Sequence, residues 1–163
     1  MSSSPSPRPG MDEYMMSIAV GVRARANCMG SHVGAVLARE GHIVSTGYNG
    51  TAHGTPNCDE GGCERCNNRD KYPSGVGYDL CVCVHAEQNA LLQAARFGTA
   101  VECSIVYTTW SPCFGCTKDL LQAGIKGIRY GKYWEPKPEL KGEYDRLLSY
   151  FEEGVKKVEV EGL

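Results

Sequence analysis

Four residues have the types and the spacing of a metal site that keeps one position open. Cys113 and Cys116 form a Cys-x-x-Cys pair, and His85 lies two residues before Glu87. Thiolates and imidazole are typical zinc ligands, and three protein ligands leave the fourth tetrahedral position for water. Zinc lowers the pKa of that water enough to supply hydroxide near neutral pH, while Glu87, close to the metal without binding it, is suited to move protons.

Two predicted helices bring these residues together. The apolar spacing predicts a helix over 85–98, ended by Gly98, and another over 111–124, with Ser111 as its cap candidate. A predicted strand, 104–110, lies between them. The positive end of a helix dipole favours deprotonated thiolates, so we expect both helix starts to converge on one ion. The alternative is a closed structural zinc site with an incidental acidic residue beside it.

The remaining segments predict one α/β domain over 11–163, after a disordered tail at 1–10 that is rich in Ser and Pro. The order of elements predicts a mixed sheet with helices on both faces. The expected elements are a helix over 11–27 with Tyr14, Ile18 and Val22 on its apolar face, a β-hairpin of 33–39 and 42–49, a strand at 125–131, a helix at 143–154 and an edge strand at 155–161.

Composition excludes several classes of protein. The net charge is −2 over 163 residues, which argues against a protein that grips a nucleic acid polymer through a basic face. No apolar run has the length needed to cross a membrane, and the N-terminus lacks the apolar core of a secretory signal. We therefore expect a cytoplasmic location, or the host cytoplasm if the gene is viral.

Nine cysteines are an unusual number, and several of them occur in short-spaced pairs. Without an export signal, metal binding is a better explanation than disulfides. Residues 50–80 are rich in Gly, Asn, Asp and Cys and show little periodicity, so an ion is expected to organise them. This zinc-binding insertion is expected to extend over 50–83. Of the seven cysteines outside the Cys-x-x-Cys pair, six precede His85: Cys28, Cys58, Cys63, Cys66, Cys81 and Cys83.

The chain resembles the deoxycytidylate (dCMP) deaminases, from residue 11 to about residue 135. The motifs that carry the resemblance are, in order, VGAV (33–36), GYNG (47–50), HAEQNALL (85–92), TTWSPC (108–113) and QAGIKGIRY (122–130). The resemblance implies the three-layer α/β/α cytidine deaminase-like fold with a central mixed five-stranded sheet. It also implies that dCMP is converted to dUMP and ammonia, with zinc-activated hydroxide attacking C4 and Glu87 as the proton shuttle.

The same resemblance implies properties of the assembly. Many members of the family are homohexamers, with dCTP as activator and dTTP as inhibitor. We therefore expect an allosteric oligomer, with Mg²⁺ accompanying the effector nucleotide. The loop after GYNG departs from the family, since many members have Pro two residues after this motif, where this chain reads GYNGTAHGTPN.

The resemblance also assigns residues to the substrate. Asn49 matches an asparagine that binds the sugar, and Arg25 matches an arginine at the phosphate, although a solvated helix surface also explains Arg25. Trp110 matches the base pocket, or equally an ordinary core aromatic. The full set expected at the substrate is Arg25, Asn49, Ala86, Trp110, Ser111 and Tyr133.

A second, structural zinc is implied in the same way. Bacterial and phage members often carry four cysteines that match Cys28, Cys58, Cys63 and Cys83. Four thiolates close the tetrahedron and leave no water, as a structural site needs. Cys66 and Cys81 are surplus to this pattern, so the ligand set remains open among the six.

Other functions compete with this interpretation. A deaminase of dCTP or of a modified dCMP fits the same motifs. A tRNA adenosine deaminase is opposed by the acidic balance, by GYNG and by Ser111, where that relative usually has Glu. A riboflavin-pathway deaminase lacks its usual reductase domain here. An inactive zinc scaffold is opposed by the intact His85, Glu87, Cys113 and Cys116.

Overall fold

The computed structural model describes residues 8–73 and 76–163, so most of the predicted tail at 1–10 lies outside the described residues. In these ranges the helices are α1 (Met11–Arg23), α2 (Glu64–Asn67), α3 (Ala86–Arg96), α4 (Phe114–Gln122) and α5 (Pro138–Leu148). The strands are β1 (Gly34–Arg39), β2 (His42–Tyr48), β3 (Gly50–Thr51), β4 (Cys83–Val84), β5 (Ile105–Trp110), β6 (Gly127–Lys132) and β7 (Val155–Lys157).

Five strands form one mixed sheet, as predicted, and the structure shows their order to be β2-β1-β5-β6-β7. The pairs β2/β1 and β1/β5 are antiparallel, whereas β5/β6 and β6/β7 are parallel. The predicted hairpin is confirmed, and its turn residues Glu40 and Gly41 both have positive φ, at 51° and 77°. Two positive φ angles are typical of a type I′ turn, whose twist matches that of the paired strands.

The sheet has helices on both faces, which confirms the three-layer architecture. Side chains alternate along a strand, so neighbouring residues face opposite layers. Val36 and Tyr107 pack with α1, while Leu37 and Val106 pack against the layer that contains α3 and α4. The core of the second layer also includes Ala86, Ala90, Leu120, Ile125, Ile128 and Phe151.

Two predicted helices differ from the structure by four or more residues at an end. Helix α1 ends at Arg23, four residues before the predicted end. Its buried face consists of Met15, Met16 and Ala19, so the prediction that Tyr14 lies on the apolar face was wrong: Tyr14 is 47% exposed. Helix α5 begins at Pro138 and ends at Leu148, five residues earlier at its start than predicted and six at its end. A proline is favoured in the first turn of a helix because it has no N–H to leave unpaired, and the polar sequence around it concealed the start.

Within the described residues, no helix combines the length and the hydropathy needed to cross a membrane.

Candidate active site and cysteine cluster

His85 is the residue at which the chain enters α3. Its backbone is extended, at φ −71° and ψ 156°, which is the usual conformation of an N-cap residue. Its carbonyl accepts a hydrogen bond from the Asn89 amide at 2.8 Å, and its own amide donates to Gln88 Oε1 at 3.3 Å. These bonds hold the imidazole at the first turn of the helix.

Cys113 occupies the same position at the start of α4. It is the N-cap, with φ −68° and ψ 171°, and Cys116 follows in the first turn. Ser111 and Pro112 therefore precede the helix, contrary to the expectation that Ser111 caps it. The Cys113 carbonyl accepts bonds from the amide and the hydroxyl of Thr117, both at 2.9 Å, and the buried Tyr144 hydroxyl donates to the Pro112 carbonyl at 2.7 Å.

The three side chains meet with the spacing that zinc requires. His85 Nδ1 lies 3.4 Å from Cys113 Sγ and 3.4 Å from Cys116 Sγ. A tetrahedral ion with ordinary Zn–N and Zn–S bond lengths places such atoms about 3.6 Å apart. Among the described residues, these three form one of the groups whose geometry could hold a metal ion, and their nitrogen and sulfur donors are those that zinc prefers.

The electrostatics of the triad suit a cation. The hydrogen bond with Cys116, followed by that with His85, lowers the pKa of Cys113 to about 4, despite its partial burial. The hydrogen bond with Cys113 raises the pKa of His85 to about 9. An imidazolium paired with a thiolate is the state expected before metal binding, and His85 would lose its imidazole proton on binding zinc.

Glu87 lies in the first turn of α3, where it is buried and only 4% exposed. Burial raises its pKa, while hydrogen bonds from its own amide and from Thr108 act in the opposite direction. Thr108 Oγ lies 3.0 Å from Glu87 Oε1 and 2.9 Å from the Trp110 carbonyl oxygen. A buried carboxyl group with an adaptable hydroxyl partner is well suited to accept and release a proton.

The six other cysteines expected near a metal form one cluster beside this site. Two groups of four have their sulfur atoms within 4.8 Å of one another: Cys28, Cys58, Cys66 and Cys83, and Cys63, Cys66, Cys81 and Cys83. The structure thus places Cys66, and not the predicted Cys63, with Cys28 and Cys58. The difference arises because Cys63 precedes α2 while Cys66 lies within it, so the helical turn directs the two thiols to different neighbours.

Asn49 is buried, and both ends of its amide already have backbone partners. Its Oδ1 accepts from the Val33 amide at 2.8 Å, and its Nδ2 donates to the Ser31 carbonyl at 2.6 Å. The side chain therefore fixes the segment that leads into β1. Asn49 can therefore contact a sugar only through the second proton of Nδ2 or the second lone pair of Oδ1.

The other residues expected at the substrate differ in exposure. Ala86 is fully buried in the first turn of α3, where its amide has no partner within the helix. Trp110, at the end of β5, has Lys132 Nζ 5.8 Å from its ring centroid. Ser111 is buried, and its hydroxyl accepts from the Trp134 amide at 2.6 Å. Tyr133 is 38% exposed, and Arg25 is exposed beyond the end of α1.

Thr108, Gly47 and Tyr144 contribute to the site, although the sequence did not single them out. A Cβ at Gly47 would lie 2.2 Å from the Ala86 carbonyl oxygen, so only glycine lets β2 approach α3 so closely. The GYNG and TTWSPC motifs contain Gly47 and Thr108, but motif membership did not indicate these contacts. Tyr144 carried no signal, because its contact with Pro112 joins distant segments.

Comparison with known proteins agrees with this geometry. A family model described as the cytidine and deoxycytidylate deaminase zinc-binding region matches residues 9–132. The deoxycytidylate deaminase of Schizosaccharomyces pombe is 44% identical over 123 residues, which cover 76% of this chain but only 37% of that protein. The deoxycytidylate deaminase of Mycobacterium phage D29 is 35% identical, over 77% of this chain and 97% of the phage protein.

A solved structure extends the comparison to the fold. The dCMP deaminase of cyanophage S-TIM5, in complex with dCMP and dUMP, superposes with a TM-score of 0.71 at 28% identity, covering 94% of this chain and 100% of that one. The family model covers three quarters of the chain and includes His85, Glu87, Cys113 and Cys116. The chain belongs to the family of zinc-binding cytidine and deoxycytidylate deaminases.

Proposed function

We propose that the chain catalyses the zinc-dependent hydrolytic deamination of dCMP to dUMP and ammonia. The observation that carries this proposal is the meeting of ligand atoms from His85, Cys113 and Cys116 near the buried carboxyl group of Glu87. Three ligands instead of four favour a catalytic site over a closed structural one. Relatives named deoxycytidylate deaminase, and the cyanophage dCMP deaminase bound to dCMP and dUMP, support this choice of substrate.

The residues of the site divide the chemistry between them. His85, Cys113 and Cys116 would hold the zinc ion, which would supply a water molecule of lowered pKa at the open position. Glu87 accepts a proton from the attacking water and delivers a proton to the amino group that leaves as ammonia. Burial raises the pKa of Glu87, which suits a group that must take up and release protons in one cycle.

The substrate is expected to lie along the edge formed by Asn49, the start of α3 and the end of β5. Asn49 contacts the sugar through its second amide proton, and the free amide of Ala86 contacts the base. Trp110 and Ser111 bound the base pocket. Arg25 and Tyr133 bind the phosphate. Arg25 is exposed, as a phosphate-binding residue must be. The Asn27 amide donates a hydrogen bond to the Asn49 carbonyl at 3.2 Å, which holds the segment that contains Arg25 at this edge.

A structural zinc in the cysteine cluster is part of the same proposal. Four thiolates, those of Cys28, Cys58, Cys66 and Cys83, provide a closed tetrahedral set. All four are buried. This ion would order the insertion at 50–83, whose described residues contain little regular secondary structure, and would link it to the strand that precedes His85.

The proposal extends to regulation, assembly and location on the basis of the resemblance to deoxycytidylate deaminases. It includes a homohexamer in the cytoplasm, dCTP as activator, dTTP as inhibitor and Mg²⁺ bound with the effector nucleotide. Initial rates against dCMP concentration, with and without each nucleotide and Mg²⁺, test the regulation. Light scattering tests the assembly, and a mass other than that of six chains would contradict it.

A substrate panel tests the proposed activity. Zinc-loaded protein is incubated separately with dCMP, dCTP, cytidine and adenosine-containing tRNA, and ammonia is measured. We expect ammonia from dCMP well above that from the other three. Release from dCTP alone would assign the alternative nucleotide, release from tRNA alone would assign the adenosine deaminase function, and no turnover of any cytosine nucleotide would reject the proposal.

A further inference from the structure

Six thiols come together between the end of α1 and the start of α3. Cys28 follows α1, Cys58 opens a short turn, Cys63 and Cys66 flank the start of α2, and Cys81 and Cys83 lead into His85. Five of the six are buried and the sixth, Cys81, is partly exposed. A single tetrahedral zinc uses only four of them, and the remaining pair then has no function.

The two groups of four sulfur atoms overlap. Cys66 and Cys83 belong to both groups, Cys28 and Cys58 only to the first, and Cys63 and Cys81 only to the second. All pairs within each group lie within 4.8 Å. Zinc–sulfur bonds of about 2.3 Å imply tetrahedral edges of about 3.8 Å. Cys81 Sγ lies 3.9 Å from Cys63 Sγ and 4.0 Å from Cys66 Sγ, so the second group already has edges of this length.

We propose that the cluster binds two zinc ions, bridged by the thiolates of Cys66 and Cys83. Two tetrahedral ions need eight bonds to sulfur. Four terminal thiolates supply one bond each and two bridging thiolates supply two each, which makes eight. The six sulfur atoms of the cluster thus satisfy both ions with none left over, and binuclear six-cysteine zinc sites are known in other proteins.

The surroundings of the sulfur atoms suit thiolates. The Met29 amide donates to Cys58 Sγ and the Gly30 amide to Cys28 Sγ, both at 3.4 Å. Such bonds stabilise charge on metal-bound sulfur. A disulfide between Cys63 and Cys81 is the competing use of the surplus pair, but both cysteines are free and their sulfur atoms are 3.9 Å apart.

The cluster anchors the segment that leads into His85. Its bridging residue Cys83 pairs with Thr51 in the small β3/β4 sheet and lies two residues before His85. The second ion adds the Cys63 and Cys81 segments to the anchor that the first ion provides. This inference concerns the number of metal ions and does not depend on which nucleotide the enzyme accepts.

Metal content compared between variants tests the proposal. Zinc per chain is measured by elemental analysis for the wild-type protein, for the double variant Cys63→Ala/Cys81→Ala, and for Cys103→Ala, an exposed cysteine outside the cluster, as the control. We expect the double variant to hold one zinc fewer than both other proteins. The test uses the difference in zinc per chain between the double variant and the other two proteins. An empty catalytic site would lower the zinc content of all three proteins equally and would leave this difference unchanged. Equal zinc content in all three would overturn the proposal.

A second measurement needs no variant. Cadmium binds the same thiolate ligands as zinc. The wild-type protein is loaded with a spin-half isotope of cadmium, and its cadmium NMR spectrum is recorded. Two resonances of all-sulfur sites, coupled to each other through the bridging sulfur atoms, are expected. One such resonance, or two without mutual coupling, would contradict the bridged cluster even if the double variant failed to fold.

Discussion

The hydroxyl oxygen of Thr108 lies 3.0 Å from Glu87 Oε1 and 2.9 Å from the carbonyl oxygen of Trp110. A hydroxyl group has one proton to donate and two lone pairs to accept with. When Glu87 is ionised, Thr108 can donate to it. When Glu87 is protonated, it can donate to Thr108, which then donates to Trp110. Thr108 is thus a positioning residue that serves both states of the proton shuttle.

Replacing Thr108 by Val should lower kcat about 10- to 100-fold, because one hydrogen bond to a charged group contributes about 1.5–3 kcal/mol. The bond from Thr108 lowers the pKa of Glu87, so its loss should raise that pKa and move the acidic limb of the kcat/KM profile to higher pH. Thr108→Ser keeps the hydroxyl and serves as the control. A Val variant with an unchanged pH profile would show that Thr108 only fills space.

Replacing Gly47 by Ala should separate β2 from α3. The added Cβ would lie 2.2 Å from the Ala86 carbonyl oxygen and 2.4 Å from the Ala90 amide nitrogen, and backbone atoms cannot yield as a flexible side chain does. We expect the variant to lose about 1–3 kcal/mol of unfolding free energy, as overpacked cores do, and to bind zinc less tightly because His85 moves with α3.

The matched control is Gly142→Ala in α5, where an added Cβ has nothing within 4 Å. That change should leave the free energy of unfolding the same or raise it by about 0.4–1 kcal/mol. Chemical denaturation measures both variants. Equal stabilities would mean that β2 and α3 are not in the close contact described.

Replacing Asp12 by Asn should loosen α1. The Asp12 carboxylate accepts from Arg129 Nε at 3.2 Å and from the Tyr107 hydroxyl at 2.9 Å, and the Arg129 side chain is only 7% exposed. Loss of the charge leaves a buried guanidinium without its anionic partner. Removing one partner of a fully buried pair costs about 3–5 kcal/mol of unfolding free energy. Because Asp12 itself is half-exposed, we expect a smaller loss, of about 1–3 kcal/mol.

Thermal unfolding compares Asp12→Asn with Glu161→Gln, a neutralised carboxylate at an exposed position near the C-terminus. A lower midpoint for the first variant alone is expected. Equal midpoints would show that the ion pair contributes nothing to the docking of α1.

Features set by local spacing were predictable from the sequence. The zinc triad was found because each half sits at a helix start, where neighbouring residues define its position. The hairpin followed from two strand-like segments joined by a short turn, and the mixed sheet followed from the order of the elements. The start of α5 was missed because Pro138 lies in a polar segment that reads as a connector, and Gly142 inside the helix weakens the pattern further.

Features set by long-range contacts were not predictable. The choice between Cys63 and Cys66 depends on how α2 and the turn at Cys58 fold against each other, since spacing in the chain is compatible with either. Thr108 has the sequence context of any threonine in a strand, and its contact with Glu87 joins residues 21 positions apart. Such contacts become visible only when the sheet and α3 are in place.

The most direct test of the account compares dCMP turnover by the wild-type protein with that of Glu87→Gln at the same measured zinc content. Glutamine keeps the shape of the side chain but cannot carry the proton, so we expect the rate of dUMP formation to fall by roughly 100- to 10,000-fold. Glu102→Gln, which neutralises an exposed carboxylate outside the site, should retain full activity. A wild-type protein that forms no dUMP from dCMP, or a Glu87→Gln variant that retains its rate, would contradict the account.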